Sequence, residues 1–266
     1  MKCAWTFSLL VFTITTIVTP SYANSIIIVP PGLSPGSEYR LAVVTADPYT
    51  ATSADISTYN SEVNSEINSV AALSALDTVW AVIGSTATVN AINNIGQEPG
   101  VPIYDLWGFL VAEDATTNSG GLFSGSTFSP ISIDEYGTTP CNVRVQQVPT
   151  CPPGTEYPYY VFTGTLPDGQ ATVFPLGFTG GYTSMGFFAS TSPYFIYTNN
   201  AFPETYATYL YAISGELMVP ESPIPEPSTD AMVFLGGITL SFVMRRGLFR
   251  FQSYRENHCP NSVHFV

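Results

Sequence analysis

Two acidic doublets, Glu113-Asp114 and Asp134-Glu135, are the side chains best equipped for chemistry in this sequence. A pair of carboxylates can serve as acid and base, or as acid and nucleophile, on a glycosidic bond. Little other catalysis is open to the middle of the chain. Between positions 24 and 230 there is no histidine and no lysine; His258 and His264 both lie in the tail. Ser-His-Asp, Cys-His, Ser-Lys and Schiff-base chemistry therefore have no base or nucleophile activator in that stretch. Adjacent residues on a strand or turn point apart, so each doublet also reads as a solvated edge. The expectation is a protein that is not an enzyme. The alternative is a carbohydrate-active enzyme of the glycosidase type built on one of these pairs.

Binding chemistry rests on aromatic residues. Phe187, Phe188, Tyr194, Phe195 and Tyr197 crowd a short stretch, and Phe187, Tyr194 and Tyr197 are the candidates for stacking on sugar rings. The competing reading is ordinary core and loop packing. No cofactor and no metal are expected. Cys141 and Cys151 have no histidine near them and offer too few ligands for zinc, and no Asp-x-Asp-x-Asp-Gly calcium loop occurs. The two cysteines instead suit a local disulfide, contributing roughly 2–3 kcal/mol by chain entropy; two free thiols are the other reading. Asp168-Gly169 has the form of a hairpin turn, and Glu98-Pro99-Gly100 that of a simple turn.

Charge narrows the partners. Between positions 24 and 230, nineteen carboxylates face two arginines, Arg40 and Arg144. So negative a surface repels nucleic acid and anionic lipid and keeps a domain dispersed.

These residues need a scaffold, and about two hundred residues suffice for one domain with a core. A buried strand is expected over 39–45. A helix follows, with Thr52 and Asp55 as a capping box and Ile56, Tyr59, Val63, Ile67 and Val70 on one face. A short strand over 80–83 leads to a second helix capped by Thr86 and stopped by Gly96. Short strands are expected over 101–104 and 109–111, and clearer ones over 159–163 and 209–217. The stretch from 174 to 202 shows little regular period. The order predicts an α+β fold: two N-terminal helices on a small mixed sheet, followed by a loop-rich β half.

The two ends read as signals. Met1-Lys2, an apolar run over 4–18 and Ser21-Tyr22-Ala23 form a secretory signal, with cleavage expected between Ala23 and Asn24. Near the other end stand Pro225-Glu226-Pro227-Ser228-Thr229, an uncharged apolar run over 231–244, and Arg245-Arg246. The prolines hold the pentapeptide extended. The apolar run is shorter than the roughly 20 residues that a spanning helix wants. The arginines should stay cytoplasmic as a stop-transfer signal. This tripartite tail resembles the PEP-CTERM sorting signal of bacterial envelope proteins, which implies processing by an exosortase-like membrane protease. A plain C-terminal anchor is the competing reading, and the continuation to Val266 departs from the family's usual short ending. The segments are thus a signal peptide over 1–23, an exported domain over 24–220, a linker with the Pro-Glu-Pro motif over 221–230, a transmembrane helix over 231–244 and a basic cytoplasmic tail over 245–266.

A second resemblance rests on Trp80-Ala81-Val82-Ile83-Gly84-Ser85, Val101-Pro102-Ile103-Tyr104, Ile131-Ser132-Ile133-Asp134, and Val161-Phe162-Thr163-Gly164-Thr165 with Pro167-Asp168-Gly169. In that order they resemble the recurrent extracellular domain of PEP-CTERM proteins and the endostatin branch of the C-type lectin-like fold. The Cys-x-x-Trp expected after the Asp-Gly turn is absent, and so is the cysteine of the closing strand. The resemblance implies an exported envelope or extracellular-matrix protein, structural or adhesive, with glycan contact left open. Its implied partners are the secretion machinery, signal peptidase, an exosortase-like protease, the membrane through the C-terminal helix, and surface polysaccharide.

Overall fold

The computed structural model describes residues 26–140 and 159–221. The chain divides into two units after Val219, and the account below concerns the first.

The run Glu38-Tyr-Arg-Leu-Ala-Val-Val44 forms β1 (Glu38–Val44), with six of its seven residues buried. Both of its faces are covered. Tyr39, Leu41 and Val43 enter one hydrophobic cluster, Ala42 and Val44 the other. This explains why its sequence reads as a nearly continuous apolar run.

After β1 come α1 (Ile56–Ile67), α2 (Ala71–Ser74), β2 (Trp80–Val82), α3 (Ala91–Ile95), β3 (Ile103–Tyr104) and β4 (Leu110–Ala112). They are followed by β5 (Tyr160–Phe162), β6 (Tyr182–Phe187), a 3-10 turn (Pro193–Phe195), β7 (Ala201–Pro203), β8 (Tyr211–Ser214) and β9 (Leu217–Met218). The larger sheet has the order β2-β8-β1-β3-β4, with β9 also paired to β1; β5-β6-β7 form the smaller sheet. β3 runs parallel to β1. β8 and β9 run antiparallel to it, Ala42 facing Ile213 and Tyr39 facing Leu217. Three steps on β1 thus span four on its partner, which marks a β-bulge. There the Ser214 hydroxyl accepts from Leu41 N at 2.9 Å, replacing a ladder bond.

The helix α1 begins one turn later than a cap at Thr52 would place it. Asp55 is the cap, accepting from Ser57 N at 2.9 Å. Tyr59, Val63 and Ile67 are buried against Trp80 and Val82 on the face shared with Leu41 and Val43. The opposite face carries α3, the 115–123 loop, Phe188 and Phe195.

The expected architecture, a lectin-like α+β domain of two helices on a small mixed sheet, is not what the described residues form; the C-terminal transmembrane helix expected with it falls outside them. Among the described residues the regular elements are mostly strands, nine in two sheets against three helices. Two of those helices have only four and five residues. The reason lies in the stretches that looked irregular. β6 is hidden because Thr183, Ser184 and Gly186 occupy buried strand positions where apolar residues were sought. The helix expected after Thr86 shrinks to one turn and a half, because Ser85 and Thr86 turn the chain first: Ser85 Oγ accepts from Ala91 N at 2.8 Å and Thr86 Oγ1 from Val89 N at 3.2 Å. Among the described residues no helix is long and apolar enough to cross a membrane. The 231–244 segment lies outside the described residues.

Candidate functional site

The two carboxylate doublets meet different fates. Asp134 is buried and builds a turn: Oδ1 accepts from Tyr136 N at 3.0 Å and Thr138 N at 2.8 Å, while Oδ2 accepts from the Thr138 hydroxyl. Burial pushes its carboxyl above the usual range, against the pull of those hydrogen bonds. Glu135 points the other way, as neighbours in a turn do, and is 0% exposed. The expectation of a solvated edge is wrong for this pair. Segment 131–138 docks on the end of β1 through Val44 N to Ile133 O at 3.1 Å, which carries both carboxylates inside.

Glu135 faces Glu66 of α1. Its Oε2 accepts from Ala46 N at 3.1 Å, and Glu66 Oε1 accepts from Asp47 N at 2.8 Å. The remaining oxygens, Glu135 Oε1 and Glu66 Oε2, are buried and have no donor. One proton between the two carboxyls satisfies both. Burial, then the charge of Glu66, raises the Glu135 carboxyl far above its ordinary range, and burial raises Glu66 as well, so the pair holds that proton. The pair has the proton-sharing chemistry of an acid catalyst, and Glu135 is closed off from solvent.

Asp114 is likewise consumed. Its Oδ1 accepts from Thr116 N at 2.9 Å and from the Thr116 hydroxyl at 2.7 Å, and Oδ2 accepts from Gly100 N at 3.2 Å. Burial alone would raise this carboxyl, but the hydrogen bonds outweigh it and hold it below the usual range. Glu113 alone of the four is exposed. It borders a cavity of roughly 230 Å³ with Ser119, Gly120, Ser126, Thr127 and Phe128.

The aromatic candidates separate as well. Phe187, at the end of β6, packs on Tyr160 with ring centroids 5.7 Å apart and on Tyr159 at 6.3 Å. Tyr197 is half-buried, its hydroxyl donating to Asn199 Oδ1 at 2.9 Å. Tyr194, on the 3-10 turn, is 60% exposed. Phe188 and Phe195 are core residues. Phe128, also exposed, was missed by sequence reasoning; it shares a stretch rich in Ser, Thr and Gly over 116–129 with the buried Phe123, and its signal was a phenylalanine flanked on both sides by hydroxyl residues.

Asp168-Gly169 forms the expected turn, with Gly169 N donating to Leu166 O at 2.9 Å and Leu166 N to Gln170 O at 2.8 Å. Among the described residues no group of three or more His, Cys, Asp or Glu side chains could hold a metal ion. Ala23, Asn24, Cys141, Cys151, the motif Pro225 to Thr229, and Arg245 with Arg246 lie outside the described residues. No family model matches the chain, and a comparison with curated proteins finds no match.

Proposed function

We propose that this chain is an exported protein of the cell envelope or extracellular matrix, sorted through a PEP-CTERM-type tail and serving a structural or adhesive role that includes glycan contact. One observation carries the reading. Pro225-Glu226-Pro227-Ser228-Thr229, the apolar run over 231–244 and Arg245-Arg246 stand in the order that such a signal requires, and a secretory signal stands at the opposite end. The apolar run holds the tail at the membrane, where a protease can reach the extended pentapeptide. Secretion machinery, signal peptidase and an exosortase-like protease are the partners in this scheme, and surface polysaccharide is the partner after release.

The state of the doublets supports a non-enzymatic role over the glycosidase alternative: Asp134 and Asp114 are tied into turns, and Glu135 is buried against Glu66.

Intact mass of the protein recovered from each cell fraction tests the proposal. The expected species begins at Asn24, lacks the residues beyond the sorting motif, and is lighter by the hydrogens lost in joining Cys141 to Cys151. The full-length mass in the cytosolic fraction would overturn it.

A further inference from the structure

We propose that the cavity bounded by Glu113, Ser119, Gly120, Ser126, Thr127 and Phe128 binds a single non-acidic pyranose ring of a polysaccharide. This rests on the adhesive reading above and gives it a site.

Size comes first. The cavity holds roughly 230 Å³, below the about 300–1,000 Å³ of clefts that engulf drug-sized ligands. It suits one ring of a longer chain, with the rest of the chain in solvent.

The chemistry of the wall comes next. A pyranose offers hydroxyls around its edge and a C–H face. The cavity offers the Glu113 carboxylate, the hydroxyls of Ser119, Ser126 and Thr127, and the Phe128 ring, which is 55% exposed. A carboxylate accepts from two adjacent hydroxyls at once, and an aromatic ring covers a C–H face. Thr127 Oγ1 is buried and has no hydrogen-bond partner. A buried hydroxyl left unpaired is costly, and a sugar hydroxyl entering the cavity relieves that cost.

The wall is built rather than incidental. Asp114 holds the loop through Thr116 and Gly100, leaving Glu113 free of structural duty. Glu113 N donates to Gly120 O at 2.8 Å. Gly120 has φ +87, and a Cβ there would lie 2.5 Å from Glu113 Oε2, so a glycine is needed for the carboxylate to lie across the loop. Phe128 N donates to Val111 O at 2.9 Å and Thr127 N to Thr191 O at 2.9 Å. The ring thus stands on a segment pinned from both sides. The second of those bonds ties it to the segment that leads into the 3-10 turn.

Charge selects the sugar. Glu113 is the one acidic residue in the wall, within a strongly acidic protein. Uronates, sulfated and phosphorylated sugars are repelled, whereas neutral and amino sugars are not. A lone carboxylate is also too little for a cation site.

The test titrates the full chain with cellotetraose, a chitosan tetramer and tetragalacturonate, read by calorimetry and by saturation-transfer NMR. The neutral and amino tetramers should bind, the amino one at least as tightly, and tetragalacturonate should bind more weakly than either. Phe128→Ala should weaken binding by roughly tenfold, and Glu113→Gln by a similar factor. Both positions are exposed, so the fold survives. Val173→Ala, exposed outside the cavity, should change nothing. Three results overturn the proposal: no binding of either non-acidic tetramer, tetragalacturonate binding as tightly as they do, or binding unaltered in Phe128→Ala and Glu113→Gln. A correctly processed, exported protein that ignores all three sugars sinks this site and leaves the sorting proposal standing. A sugar-binding protein that stays uncut in the cytosol does the reverse.

Discussion

The side chain of Asn60 seals the edge strand at Val82: Asn60 Oδ1 accepts from Val82 N at 2.9 Å. One helical turn later, Asn64 Oδ1 accepts from Trp80 N at 3.0 Å. The match is geometric. Four residues of helix rise about 6 Å and two residues of strand about 6.6 Å, so i and i+4 on α1 meet alternate N–H groups of β2. Asn94 Nδ2 completes the seal by donating to Val82 O at 2.8 Å and to Asn60 Oδ1 at 3.0 Å. An open edge would invite pairing with another chain.

The first prediction follows directly. Asn64→Ala and Asn60→Ala should each destabilise the protein by about 1–3 kcal/mol, the cost of an unpaired buried N–H. Asn60→Ala should be the worse of the two, because it also frees Asn94. Urea unfolding reads both, and equal, negligible losses would contradict the sealing role. Light scattering of the unfolding intermediates should rise in the same order.

The second concerns pH. Glu135 is held by Ala46 N and faces Glu66 of α1, with Asp134 on its own loop, Asp47 and Tyr49 on the turn after β1, and Glu62 one helical turn before Glu66. Burial, then the Glu66 charge, pushes its carboxyl from 4.5 up to about 9. Folded protein therefore keeps a proton that unfolded protein has lost, throughout that window. The resulting stability is complete below about pH 4.5 and is lost as pH climbs toward 9. Melting temperatures in Glu135→Gln, whose amide can donate to Glu66 at any pH, should fall less steeply over the same range. Parallel wild-type and variant slopes would remove the shared proton from the account.

A third prediction rests on Arg40, 2% exposed in the middle of β1. Its Nε donates to Ser214 O at 2.7 Å at the bulge, and Nη1 lies 3.3 Å from Glu98 Oε2. Burial lowers the guanidinium's affinity for its proton, and Glu98 and Glu216 restore much of it. Arg40→Ala should cost about 3–5 kcal/mol, since it strips carboxylates of their cation and empties the space around the aliphatic stem. Arg40→Met keeps the stem and should cost measurably less. Equal losses in guanidinium titrations would mean that packing contributes nothing there.

Gly169 supports a fourth. Its φ is +79, and a Cβ would meet Ile92 Cβ at 2.7 Å and the Phe123 ring at 3.0 Å. Gly169→Ala combines left-handed strain with overpacking against the core, and should cost about 2–4 kcal/mol. A melting temperature unchanged from wild type would show that the turn yields freely.

What could be read from the chain beforehand was whatever depends on neighbours in sequence. The buried run of β1, the Tyr59, Val63 and Ile67 stripe, the Gly96 stop and the Asp168-Gly169 turn are all local patterns, and each is present. What escaped depends on distant partners. β6 buries Thr183, whose hydroxyl donates to Pro175 O, and Ser184, whose Oγ accepts from Thr172, so polarity there signals satisfied bonds rather than exposure. Glu135 looked solvated because Glu66 is remote in sequence. Glu113 and Asp114 looked alike, and only the contacts of Thr116 and Gly100 separate a structural carboxylate from a free one. Asn60 and Asn64 carried a visible hint, two carboxamides one turn apart beside an apolar stripe.

The place of β8 in the larger sheet has a kinetic meaning. It lies between β2 and β1, and its continuation β9 pairs with the very start of β1. Nearly the whole unit must therefore be present before its centre can close, and pairings so distant along the chain form slowly. A polypeptide emerging end first has no closing strand to collapse upon. Order in the larger sheet therefore arrives late, when β8 and β9 close on the two ends of β1.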